Sequence, residues 1–497
     1  INGATYGALS PQVLAAEAVK RALRDAGLGG QRDQVDRLAC VRTVADSIDP
    51  AMSAAAYPFG GPSCFPRSVA HHAEIDPAHT VYSIACGDEP QVLVNELCAT
   101  IAKGQARLAV VCGAEAAGTV RHLLRSGQQA DWRETLSGPV EDRGHGTEDL
   151  LHEQMPAHGM PLPLTVYPLF EHARRKRLGM SMAAYTTHMA TLLARFNSVA
   201  QRNPYATHPE PLSSSDIGSA NNGNRIVSYP YTKAMVARDA VNQAAAVVLT
   251  STAVARELGI PEDQWVYMHG HAATIEIPVH TRPDLSQSPA MVAAYQHALT
   301  RARQSTVDIR YFDLYSCFPI AVFLAMETLG LRVDDPRELT VTGGLPYFGG
   351  PGNNYSMHAL VSMVHQLRSD PGAYGLVGTN GGYLSRHAVG IYSTRPSQGD
   401  PAFDSAAIQE TLNRVPQRDF TPHPNGLGRI ESYMVKPTAE GFEAGIIGSL
   451  LDTGERFIAR STDSDTIERE LVDRCPIGAH VSVSPEASGL NIFNCVP

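Results

Sequence analysis

Apolar positions recur at helical spacing over residues 10–27, where Val13, Leu14, Ala18, Val19 and Leu23 fall on one face and Gly27 offers a C-terminal stop. The pattern then predicts a strand over 38–44 and a helix over 68–74. An extended apolar stretch follows, running into Tyr82-Ser83-Ile84-Ala85-Cys86, then a helix over 91–103 and an unbroken apolar strand over 108–112. Short apolar runs alternating with helices are the mark of parallel strands buried on both faces, so the fold class is α/β.

Residues 119–235 break that rhythm. They are rich in Pro, His and Gly, with helical pieces at 168–178 and 181–199. So long a stretch is read as a loop domain covering a site. A strand returns over 239–250, and the pattern restarts at Trp265. A helix (289–304), strand (309–314), helix (319–329), glycine loop (343–352), helix (354–368) and two strands (373–379, 387–393) repeat the earlier order without sequence-level identity. After Thr421-Pro422-His423-Pro424-Asn425-Gly426, five short strands and one helix suit a small barrel of OB type.

Composition narrows the function classes. A hydrophobic share of 43% with 18% charged residues describes a globular protein. The net charge of −10 carries no basic stripe with interleaved aromatics, which argues against nucleic acid. The one dense basic cluster, Arg174-Arg175-Lys176-Arg177, is either a solvated helix face or a phosphate contact. Eight cysteines lack CxxC pairs, and His122, His145, His152, His158, His172 and His188 lack metal-ligand spacing. A reducing cytoplasm is therefore expected, with no bound metal. No apolar run is long enough for a membrane span, and no signal peptide is read. A first strand is expected ahead of Ile1.

Cys86 is the residue best placed for chemistry. It ends a strand and precedes a helix, and the positive end of a helix lowers a thiol pKa, so a nucleophilic thiolate is expected. Asp88 and Glu89 would raise that pKa if they faced the sulfur. The strand, Cys86-Gly87 elbow, helix and strand resemble the thiolase superfamily, in particular its sterol-carrier-protein thiolase-like and acetyl-CoA acetyltransferase-like branch. The resemblance implies duplicated α-β-α-β-α layers plus the C-terminal barrel. It places a thiolase-like N-terminal half at 1–252, a C-terminal half at 253–420 and the barrel at 429–497.

Family chemistry needs a nucleophile, a base and an oxyanion hole, supplied on loops. The resemblance puts Tyr315-Ser316-Cys317-Phe318 where thiolases carry a polar pair, leaving either hydroxyl to donate. Gly350 stands where the family's activating histidine would be, so the amides of the 343–352 loop are left to bind an oxyanion. The loop Gly378-Thr379-Asn380-Gly381-Gly382 lacks the family's second cysteine. The base is then His387 or His358. The implied activity is an acyl-CoA C-acyltransferase of lipid metabolism with Cys86 as acyl carrier, taking a coenzyme A thioester as substrate and no resident cofactor. The alternative is a non-catalytic acyl-CoA or lipid-binding scaffold acting with a partner protein. A site completed by a partner subunit is a third reading. A homodimer or larger assembly is expected.

Overall fold

The computed structural model describes residues 9–146, 148–397, 405–472 and 474–496. The first strand expected ahead of Ile1 lies outside the described residues.

In the N-terminal half, α1 (Pro11–Asp25) packs on a five-stranded sheet. Its strands are β1 (Arg37–Cys40), β2 (His79–Tyr82), β3 (Leu108–Glu115), β4 (Glu141–Asp142) and, after the ribbon of β5 (Ile226–Ser228) and β6 (Tyr231–Thr232), β7 (Gln243–Thr250). The order is β4-β2-β1-β3-β7, parallel except for the β3/β7 pair. Every residue of β3 is buried, as its unbroken apolar run predicts for a central strand. The C-terminal half builds β8 (Tyr267–Ile275), β9 (Ile309–Leu314), β10 (Tyr374–Gly378) and β11 (Arg386–Ser393) in the order β8-β11-β10-β9.

Two helices, α2 (Glu89–Ala102) and α7 (Tyr355–Ser369), touch both sheets and each other, forming the middle layer. Outside the second sheet lie α5 (Pro289–Ala302) and α6 (Pro319–Leu329). The result is five layers, α-β-α-β-α. The largely buried α6 has nine buried apolar or small residues, with Glu327 and Thr328 near its C-terminal end left partly exposed.

The 119–235 stretch contributes α3 (Pro163–Arg177) and α4 (Met182–Ala200). Three members of its basic tetrad are engaged within the fold, while Lys176 is exposed. Buried Arg174 bonds Glu327 and Tyr185, Arg175 reaches Met180 O, Tyr433 and Cys475, and Arg177 pairs with Glu327. The helix begins five residues earlier than its expected start at 168, with Pro163 in its first turn and Pro168 inside.

The C-terminal unit is a closed barrel of β12 (Gly426–Thr438), β13 (Gly441–Leu450), β14 (Arg456–Ser461), β15 (His480–Pro485) and β16 (Asn491–Cys495), ordered β12-β13-β14-β16-β15. It has its own core around Tyr433, Ile446, Phe457 and Phe493. It docks on α3, where Ser432 Oγ donates to Leu169 O at 2.5 Å. Among the described residues, no helix is long and apolar enough to cross a membrane.

Candidate active site

Cys86 sits between β2 and α2, 1% exposed. Glu89 N–H donates to Cys86 O as the helix begins, so the sulfur stands at the positive end of α2. The expected low thiol pKa is nevertheless reversed. Burial pushes the Cys86 thiol well up, and the negative charge of Asp88 adds to it, with Arg386 pulling the other way. A helix terminus acts weakly compared with full desolvation. Here it is also answered by an acid on its own first turn.

Gly381 shows how tight the elbow is. A Cβ there would overlap both Cys86 Sγ and Asp88 Oδ1, so sulfur and carboxylate converge on the space that only glycine leaves free. A Cβ on Gly87 would likewise strike the Tyr315 hydroxyl and, at 2.7 Å, Asn380 O. Tyr315 therefore approaches the elbow. The Ser316 hydroxyl faces elsewhere and accepts from Leu345 N–H at 3.0 Å, holding the glycine loop.

That glycine loop does not offer the amides expected of it. Gly350 N–H donates to Arg238 O at 2.7 Å, Gly352 N–H to Gly350 O, and Asn354 N–H to Pro351 O. Among the described residues the amides of Gly87 and Asp88 make no such bond, and they are the donors adjacent to the sulfur.

Neither histidine is arranged as a base for Cys86. On α7, Ser356 Oγ reaches Gly87 O at 2.8 Å. His358 lies two residues on, about 200° around the helix, and packs beside Phe348. Burial holds its pKa well below the usual imidazole range. On β11, alternation sends Arg386 toward the elbow and His387 to the opposite face, where its Nε2 lies 3.1 Å from Ser288 Oγ. Burial, then the charge of Arg282, lowers His387 to about 3. The residue that sequence reading missed is Arg386. Its Nε is 3.5 Å from Asp88 Oδ2, and its other nitrogen 3.7 Å from Glu89 Oε1. An Arg-His pair at a strand start signals one inward and one outward residue, but not which.

Asn380 is buried and its amide donates to Tyr167 Oη at 2.8 Å, with Cys317 Sγ at 3.5 Å. Tyr167, from the loop domain, also accepts from Leu384 N–H at 3.1 Å and donates to Gly382 O at 3.4 Å, so it fixes the 380–384 turn. Gly381 N–H is committed to Arg386 O. Beside the elbow, Ala85 N–H donates to His145 O, and Leu150 lies against Gly382, so these two residues pack on the turns that flank the cysteine.

Glu89 is 2% exposed, and burial followed by the Asp88 charge raises its carboxyl to about 8, with Arg386 opposing. A folded pKa raised above the unfolded one stabilises fully below the ordinary carboxylate range, and that contribution is lost as pH rises through about 8. Glu89→Gln should therefore leave stability near pH 5 little changed and raise it at pH 9, by roughly 2 kcal/mol. Thermal melts at the two pH values read this directly; an equal shift at both would contradict it.

The comparisons with known proteins agree with this architecture. Residues 407–488 match the family described as thiolase-like protein type 1 additional C-terminal domain. The crystal structure of a monomeric SCP2-thiolase-like protein type 1 from Mycobacterium smegmatis is 36% identical, covers 100% of this chain and 97% of its own, and superposes with a TM-score of 0.84. The dimeric peroxisomal thiolase of Saccharomyces cerevisiae shares the fold alone, at 12% identity and a TM-score of 0.53 over 77% of this chain and 92% of its own. An acetyl-CoA acetyltransferase of Methanothermobacter thermautotrophicus is 30% identical over 173 residues, 30% of this chain and 44% of that protein. The chain thus spans less than half the length of that curated relative. Two packed half-folds around a strand–cysteine–helix elbow define a thiolase-fold protein. Within that class, the chain belongs to the SCP2-thiolase-like protein type 1 family.

Proposed function

We propose that this chain transfers an acyl group from a coenzyme A thioester to a carbon acceptor by way of Cys86, with Asp88 as the base. The observation that carries this reading is the convergence of Cys86 Sγ and Asp88 Oδ1 beside Gly381. With the thiol held neutral, attack needs a proton acceptor in the same step, and a carboxylate beside the sulfur supplies one. The sulfur adds to the thioester carbonyl as Asp88 takes its proton. The carbon–sulfur bond to coenzyme A then breaks, and Asp88 returns the proton to the leaving thiolate. The amides of Gly87 and Asp88 and the Tyr315 hydroxyl are the donors nearest the developing oxyanion. Arg386 Nε, 3.5 Å from Asp88 Oδ2, holds that carboxyl group in place.

Intact-mass analysis after incubation with a panel of acyl-CoA thioesters tests this. Wild type is expected to gain one acyl group and Cys86→Ala none. No adduct from any thioester, with coenzyme A still bound, would replace this reading with the binding scaffold.

We further infer a monomer rather than the homodimer expected from the resemblance. Glu141–Asp142 of the same chain pairs with β2 and is tied down by the Arg42–Asp142 ion pair, so the open edge of β2 is already taken. The Mycobacterium smegmatis relative is described as monomeric. Light scattering on a sizing column should give the mass of one chain, 53.4 kDa; a twofold mass would overturn this.

A further inference from the structure

The wall around Cys86 is short of partners for its hydrogen-bond acceptors. Asn380 Oδ1, Asp88 Oδ1 and Glu89 Oε2 are all buried and bonded to nothing among the described residues. The donors around Asn380 and the 380–384 turn are already engaged elsewhere. Asn380 Nδ2 serves Tyr167 and Cys317, Gly381 N–H serves Arg386 O, Ser356 Oγ serves Gly87 O, and Tyr383 Oη serves Pro161 O at 3.2 Å. Arg386 Nε is a buried side-chain donor left without a hydrogen bond, and it faces Asp88 rather than Asn380. Buried acceptors are nearly always satisfied, and those left bare at a reactive centre are the ones a ligand fills. A plain alkyl chain would leave them bare, whereas a hydroxyl offers the missing hydrogen.

Resting on the Cys86 reading, we propose that the acyl group delivered there carries a hydroxyl close to its thioester carbonyl, donated to Asn380 Oδ1. The neighbouring charges favour a neutral donor over an ammonium. Arg386 faces Asp88 and Glu89, and burial favours the uncharged form of Glu89, which leaves one carboxylate against one guanidinium. Asn380 itself is an uncharged amide held in place by Tyr167, so its oxygen is presented at a fixed position.

The test compares 3-hydroxybutyryl-CoA, butyryl-CoA and 3-aminobutyryl-CoA. On wild type, acyl-enzyme from the hydroxy thioester should form about tenfold faster, or more, than from butyryl-CoA. Asn380→Leu should bring that ratio close to one, and Asn380→Asp, which keeps an acceptor, should retain it. Calorimetric dissociation constants on Cys86→Ala read the same preference without chemistry. A tenfold tighter hydroxy thioester there supports the inference even if no acyl-enzyme ever forms, in which case only the Cys86 reading fails. Equal affinities for the hydroxy and plain thioesters, or tighter binding of the amino thioester, would overturn it.

Discussion

Asp88→Asn should move two rates at Cys86 in opposite directions. Alkylation of the thiol by iodoacetamide should speed up, because the variant removes the negative charge that, after burial, does most to hold the thiol protonated. Each unit by which the thiol pKa falls raises the thiolate fraction about tenfold. Acylation by a CoA thioester should slow by about 10²–10⁴-fold, the usual worth of a positioned general base. Burial, the largest cause of the raised pKa, persists in the variant, so the thiol stays largely protonated at neutral pH and acylation still needs its base. Peptide-mapped alkylation and acyl-enzyme mass, both followed from pH 7 to 9, separate these effects. A parallel slowing of both would mean that Asp88 only shapes the elbow. Parallel acceleration would mean that it hinders the sulfur and another group takes the proton.

Arg456→Ala should produce the largest loss of stability, about 3–5 kcal/mol. Arg456 lies on β14 of the barrel, 1% exposed. Its guanidinium bonds Glu431 Oε2 through Nε at 3.0 Å and a terminal nitrogen at 2.5 Å, and it donates to Arg282 O at 2.5 Å and His280 O at 3.3 Å. One side chain thus ties the barrel to the segment that carries fully buried Arg282. Removing it leaves two carbonyls without a donor and Glu431 with Arg418 as its remaining ion-pair partner, at 3.1 Å. Replacing both partners, Arg456→Met with Glu431→Leu, should cost less than the single change, because the one charge then left without its partner, Arg418, is 41% exposed and hydrated. Chemical denaturation of the three variants decides this, and limited proteolysis of the 413–425 linker reports whether the barrel has come loose. A double variant no better than the single one would show that packing, not charge, holds the joint.

Much of this architecture is written locally. The fully apolar 108–112 run is a central strand, the elbow at Cys86 does join a strand to a middle-layer helix, and the meander after residue 426 closes as a barrel. Each rests on period, turn chemistry and apolar length, which act over a few residues. The two-residue strand β4 was not legible, because so short a pairing carries no periodic signal and depends wholly on β2 being there to receive it.

The chemistry of the elbow shows where sequence stops. It determined that a cysteine begins a helix with two acids behind it, and that an arginine and a histidine stand side by side at a strand start. Only the tertiary structure decided that Arg386 turns in while His387 turns to Ser288, since alternation sets a period but not its phase. Only the packing of Gly381 and its neighbours over Cys86 decided that burial outweighs the helix terminus and leaves a protonated thiol beside a carboxylate. Desolvation is a property of everything that surrounds a group, and residues far apart in the chain supply it.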